Sequence, residues 1–299
     1  MTFVFSEVVI SGTQSGVEGS SAGMQAISTA MQSMGWSVHD DRTDQAGSSM
    51  KLVLYNNQGE DATASGIYVV LTSGGVDQIN IQLSSEWDSG AHNFGSGVAV
   101  PNTLATPTAN VACVFNDENG DYALWISGDK DAVVIVSKNS GFNRANDYSI
   151  ATFGRAVPFL DTDLEPYGAY LSATTAASTL ISPSTTRVYG LVGNPVEAVI
   201  ASQAEFLSQY SIMQTEVSDP RHGLYVGGDW VYTPIPILFT ADKTGGVTLG
   251  AIGIVKHIWT TTESEAGGLF HESIMYDPVS GREYIVFAST SFCPVVRKT

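Results

Sequence analysis

The chain has 299 residues, with 30 acidic side chains against 13 basic ones and a formal net charge of −17. Such acidity repels a phosphate backbone and anionic lipid, which disfavours generic nucleic-acid binding and adsorption to an anionic membrane surface. With 43% hydrophobic residues, 5 Trp, 12 Tyr and 12 Phe, it is too rich in core-forming side chains for a disordered acidic chain.

No run of about 18 apolar residues is present to cross a bilayer. The segment Met1 to Glu7 lacks the basic start and long apolar stretch of a secretory leader, which predicts folding in a cytoplasm. Cys113 and Cys293 lie far apart in apolar, strand-like settings and read first as small buried hydrophobes, with a disulfide joining the halves as the alternative.

The first element predicted is a helix from Ser20 to Met34. Ser20 or Ser21 caps it, Met24, Ile27, Met31 and Met34 recur at helical spacing, and Gly35 stops it. That apolar stripe is read as a core face and not as a ligand site. Trp36-Ser37-Val38 then alternates as a strand. Lys51–Tyr55, Gly66–Leu71 and Gln78–Leu83 follow as strands, the last alternating so that one face is expected to be wet. Asn110–Phe115, Asp121–Ser127 and Asp131–Lys138 read as a three-strand meander, joined by the hairpin signal Asn119-Gly120 and by Gly128-Asp129-Lys130.

Pro158, Pro166 and Pro183 enclose the small polar run Ser172–Thr179, which reads as a linker or extended arm. A helix is predicted from Pro195 to Tyr210. Strands follow over Val231–Phe239 (Pro234 and Pro236 mark it as an edge or irregular one), Gly250–Thr260, Leu269–Tyr276 and Glu283–Ser289. Asp277–Gly281 forms the last hairpin loop. The expectation is an α+β fold, predominantly antiparallel β. An N-terminal α/β sheet domain (helix plus antiparallel sheet) covers 1–165, a Ser/Thr/Ala-rich linker or arm 166–186, and a C-terminal β-rich domain 187–299.

The search for chemistry returns little. The chain has no P-loop, GxGxxG after a strand, HExxH or CxxC. His271-Glu272 would point to opposite faces of a strand, which makes it a poor pair. Asp117-Glu118-Asn119-Gly120-Asp121 resembles the start of a calcium loop but lacks the downstream bidentate Glu, and a hairpin explains the same residues. His39-Asp40-Asp41-Arg42 reads as a solvated loop. No catalytic residue, cofactor or metal site is assigned.

Assembly is the better-supported theme. Phe3, Val4 and Phe5 near the start, and Phe292, Val295 and Val296 near the end, form apolar segments without helix or turn signals. They suit strands tied into a sheet of the same subunit or of a neighbour, and are the candidate assembly contacts.

The order Gly35-Trp36, Met50–Tyr55, Ile67–Val70, Tyr122–Lys130, Val133–Ser137, Phe153-Gly154, Pro158-Phe159, Asp277–Phe287 and Val296-Arg297 is similar to that of virion structural proteins of contractile-tailed bacteriophages. The resemblance implies a non-enzymatic building block of the neck or collar, tail or baseplate. Its partners would be itself, as a ring or sleeve, and other virion proteins, with no nucleic acid and no membrane. It supplies no catalytic or ligand residue. A second expectation is a carbohydrate- or receptor-binding adhesin, resting on aromatics beside polar groups at Trp87-Asp88 and Asp229–Tyr232. A third, a wall-degrading enzyme using carboxylates, has the least support.

Overall fold

The computed structural model describes residues 3–10, 17–56, 66–75, 78–84, 86–94, 99–100, 111–114, 122–139, 148–155, 157–158, 169–174, 187–189, 198–200, 232–240, 248–261, 272–287 and 293–299. In chain order the elements are β1 (Val4–Ile10), α1 (Val17–Ser33), β2 (Ser37–Asp41), β3 (Lys51–Asn56), β4 (Ile67–Gly75), β5 (Gln78–Ser84), β6 (Ala99–Val100), β7 (Val111–Val114), β8 (Tyr122–Gly128), β9 (Ala132–Asn139) and β10 (Tyr148–Gly154). They continue with β11 (Val157–Pro158), β12 (Ala169–Thr174), β13 (Arg187–Tyr189), β14 (Ala198–Ile200), β15 (Tyr232–Thr240), β16 (Thr248–Thr261), β17 (Ser273–Asp277), β18 (Arg282–Val286) and β19 (Cys293–Arg297).

These strands pair antiparallel, so the fold is α+β with antiparallel β predominating. A large sheet runs β1-β8-β9-β10-β12-β13-β14-β15-β16-β19-β18-β17, with β11 beside β16. A small sheet runs β2-β3-β4-β5-β6, with β7 beside β5. No helix among the described residues is long and apolar enough to cross a membrane.

Helix α1 buries the predicted stripe, Met24, Ile27, Met31 and Met34, because residues three and four apart share one face. It starts three residues before the expected cap, and Ser20 is buried inside it rather than capping it. Gly35 follows the helix at φ +102°, the left-handed region that suits glycine. The stripe packs with Leu52 and Leu54 of β3, Ile67, Val69 and Leu71 of β4, and Ile79, Ile81 and Leu83 of β5. The same core takes Leu124, Ile126, Val133, Ile135 and Phe153 from the large sheet.

Strands β8, β9 and β10 are buried on both faces. Leu124, Val133 and Ile135 belong to the α1 core, while Trp125, Val134, Val136 and Ile150 on the other face are buried too. There Trp125 packs edge-on to Phe287 at 5.2 Å, beside β18. This explains why Ala132–Val136 reads as an unbroken apolar run and not as an alternation.

Several expectations need correction. The meander is a hairpin: β8 and β9 pair, but β7 pairs with β5 in the other sheet and β8 takes β1 as its second neighbour. The range expected as a linker or extended arm contains strand β12, paired along its length with β10 and over Ala169–Leu171 with β13. Within the expected helix 195–210, Ala198–Ile200 is strand β14. Strand β15 lies inside the sheet, between β14 and β16, and not at an edge. Its register does slip between Pro234 and Pro236, where prolines withhold N–H donors. On β5 the polar alternates Asn80 and Gln82 are buried, so that face is not wet. Asp277–Gly281 forms the expected hairpin turn, closed by Gly281 N–H donating to Asp277 O at 2.8 Å.

Candidate functional site

Two clusters of ionisable groups stand out, each built around an aspartate and a histidine. The first is the β8–β9 turn. Asp129 Oδ1 accepts the backbone N–H groups of Asp131 (2.8 Å) and Ala132 (3.0 Å), the local closure that favours Asp in turns. This leaves Oδ2 pointing at His257 Nε2, 3.0 Å away, with both side chains buried. Lys256 Nζ donates to Asp131 Oδ2 at 2.7 Å.

Consecutive strand residues face opposite ways, so Lys256 and His257 could not both reach one turn from a regular strand. Strand β16 solves this with its irregular stretch between Ile254 (opposite Pro236) and Trp259 (opposite Pro234), where His257 has φ +63°. A non-glycine residue in that region carries strain that its surroundings must hold.

Other elements grip the same turn. Trp36 Nε1 donates to Asp129 O at 3.2 Å, and Asn56 Nδ2 donates to Lys130 O. Arg155 N donates to Asp131 O at 2.7 Å. Phe3 lies against His257 with ring centres 5.4 Å apart, and the Arg297 guanidinium sits 3.8 Å above the Phe3 ring. Ser127 Oγ donates to Arg297 O at 2.6 Å.

Burial would raise the Asp129 carboxyl, but close contact with His257, the charges of His257 and Lys256, and the Ala132 N–H outweigh it. They hold the group well below the usual carboxylate range. Burial lowers the Arg297 guanidinium, as does neighbouring Arg282, while Tyr284 and Asp129 pull the other way. The turn therefore works as a hub that ties both sheets and the C-terminal strands together.

The second cluster covers the outer face of the small sheet. In β2, Val38 pairs with Leu54 and Asp40 with Val53, so an extra residue is inserted. Such a bulge re-aims side chains. Here His39 lies edge-on to Tyr68 at 5.0 Å, while its neighbour Asp40 accepts Trp87 Nε1–H at 3.0 Å on the same face. Asp40 Oδ2 also lies 2.7 Å from His92 Nδ1. Lys51 Nζ donates to His92 O at 2.9 Å.

His92 ends a turn in which Asp88 Oδ1 accepts the N–H groups of Gly90 and Ala91, and it has φ +51°. The Asp40 side chain is 8% exposed and that of His92 35%. Tyr55 and Tyr68 stack at 4.4 Å, and the Tyr68 hydroxyl is raised by burial, Tyr55 and Glu86.

His39-Asp40-Asp41 is therefore part of a strand with a buried carboxylate, and not a solvated loop. Among the candidate contacts, Val4 packs against the main core, and Phe5 in β1 and Phe3 just before it are half-buried. Val295 and Val296 are fully buried in β19, paired with β16 and β18 of the same chain, so they offer no open surface. Phe292 lies outside the described residues, as do Trp230, His271 and the Asp117–Asp121 loop. Glu272 pairs with Lys138. Trp87, the candidate sugar platform, is buried against Phe94, and its N–H belongs to Asp40. Cys113 and Cys293 sit in strands of different sheets.

Among the described residues, no group of three or more His, Cys, Asp or Glu side chains is arranged to hold a metal ion. Sequence reasoning read Gly128-Asp129-Lys130 only as a turn, since its side-chain partners Trp36, Asn56, Lys256 and His257 lie far away in sequence. A buried-hub role leaves one local signal, an Asp on either side of Lys130 in the turn of an apolar hairpin. Comparison with protein-family models and with curated proteins returned no match.

Proposed function

We propose that this chain is a non-enzymatic structural component of a tailed-bacteriophage virion, in its neck or collar, tail or baseplate, acting by self-assembly and by docking onto other virion proteins. The observation that supports this most is the ending of the large sheet. Its two outermost strands, β1 and β17, each have one strand neighbour among the described strands, and each displays exposed apolar side chains: Val9 is 63% exposed, Ile274 47% and Tyr276 64%. Isolated exposed apolar residues are ordinary, but on sheet edges they sit beside backbone groups able to pair with another strand. The polar groups of the hub, meanwhile, serve to hold strands in place. A charge of −17 keeps such subunits soluble and apart until docking contacts overcome it.

The test combines analytical ultracentrifugation of the purified chain with mass spectrometry of particles from an infected culture. Defined oligomers together with a stoichiometric presence in particles are expected. A strict monomer missing from particles would overturn the proposal.

A further inference from the structure

We propose that β17 is a self-pairing edge, at which two copies join antiparallel about a two-fold axis through Met275 and continue the large sheet from one subunit into the next. This rests on the reading of the chain as an assembling subunit and specifies the surface and the partner, a second copy of the chain.

Natural sheets protect outer strands with lysine, proline, bulges or extreme shortness. Strand β17, Ser273-Ile274-Met275-Tyr276-Asp277, has no lysine or proline, and its pairing with β18 runs in unbroken register from Ser273–Val286 to Asp277–Arg282. Met275 packs inward near Tyr284, Val286 and Val295, while Ile274 and Tyr276 stand exposed on the opposite face. The inward side is thus anchored and the outward side offers a short apolar stripe.

The sequence is also compatible with itself in antiparallel register. Centred on Met275, the pairing sets Ile274 opposite the partner's Tyr276 and Tyr276 opposite the partner's Ile274. These are aromatic–β-branched pairs of the kind that stabilise sheets. Ser273 then meets the partner's Asp277, so no like charges oppose each other. A two-fold contact of this type is isologous, each copy giving and receiving the same residues.

The other outer strand fails the same test. Self-pairing of β1 about its midpoint places Glu7, which is exposed, directly against the partner's Glu7. Complementarity therefore selects β17 as the self-pairing edge. Because both copies carry a charge of −17, the pairing strengthens with salt, the reverse of an ion-pair interface.

Sedimentation of the full chain at low and at near-molar salt, beside Ile274→Lys and Tyr276→Lys, tests this. Both positions are exposed, and circular dichroism checks that each variant folds. Wild type should dimerise more tightly as salt rises, and each lysine should weaken dimerisation by about tenfold or more. A Met275→Cys variant should form a self-crosslinked dimer on mild oxidation, above the background of Cys113 and Cys293. Residues facing each other on paired strands lie about 4.5–5.5 Å apart between Cα atoms, within disulfide reach.

Oligomers that persist in both lysine variants, with no Met275→Cys crosslink, would overturn the β17 edge while leaving self-assembly intact. A chain that stays monomeric in every condition and is absent from particles would overturn both.

Discussion

The two aspartate–histidine pairs use the same chemistry to different ends. In the hub, Asp129 and His257 are both buried, the turn backbone occupies the second carboxylate oxygen, and the pair joins the β8–β9 turn to β16. On the small sheet, Asp40 is buried but His92 keeps a third of its side chain in solvent and belongs to a short turn. Both histidines have positive φ, at +63° and +51°. Strain alone therefore does not distinguish a buried tie from a half-exposed pair. What separates them is how much of the carboxylate and of the ring the rest of the fold uses.

Forcing the hub turn away from strand β10 should have the largest effect. A Cβ on Gly154 would strike Asp131 O, and the residue has φ +134°. Gly154→Ala should therefore cost about 3 kcal/mol or more, read as a fall in the thermal unfolding midpoint.

Next comes His257→Ala, which leaves the Asp129 carboxylate buried without its side-chain partner. A loss of about 3 kcal/mol in denaturant unfolding is expected, and His257→Gln should recover part of it.

The hub's pH response is the third test. The folded Asp129 carboxyl ionises below the ordinary value near ~3.9. Its contribution is present above that unfolded value and is lost as pH falls through the lower folded one. Asp129→Asn should lower stability at neutral pH and flatten the further decline in acid; an unchanged acid limb would show that the charge of Asp129 does not matter.

The smallest effect belongs to His92→Ala, since a half-exposed pair contributes about 1 kcal/mol or less. A loss as large as that of His257→Ala would erase the contrast.

Local patterns in the sequence foretold local structure well. Four side chains at helical spacing identified the buried face of α1, and Asp277–Gly281 announced the β17–β18 turn. The failures concern choices made at long range. Strand β7 has the composition of a partner for β8, yet it pairs with β5, because pairing depends on which sheet is within reach once the core has formed. The Ser172-Ala173-Thr174 end of β12 carries no apolar signal, yet it pairs in unbroken register with β10. For the sites, Asp40 was legible as an acid but not as a buried one. The bulge that turns it towards Trp87 leaves no mark in the sequence, and Trp87 lies 47 positions away.

The pairing of β1 with β8 also has a consequence during synthesis. Val4 faces Gly128 and Ile10 faces Tyr122, so β1 leaves the ribosome well over a hundred residues before its neighbour does. At ordinary elongation rates that interval is on the order of ten seconds. Throughout it β1 lacks the strand it pairs with, and only Glu7 marks it with charge. Nascent chains of this protein should therefore call on a holding chaperone at their leading end, and crowding of many copies on one message should favour aggregation before β8 is made.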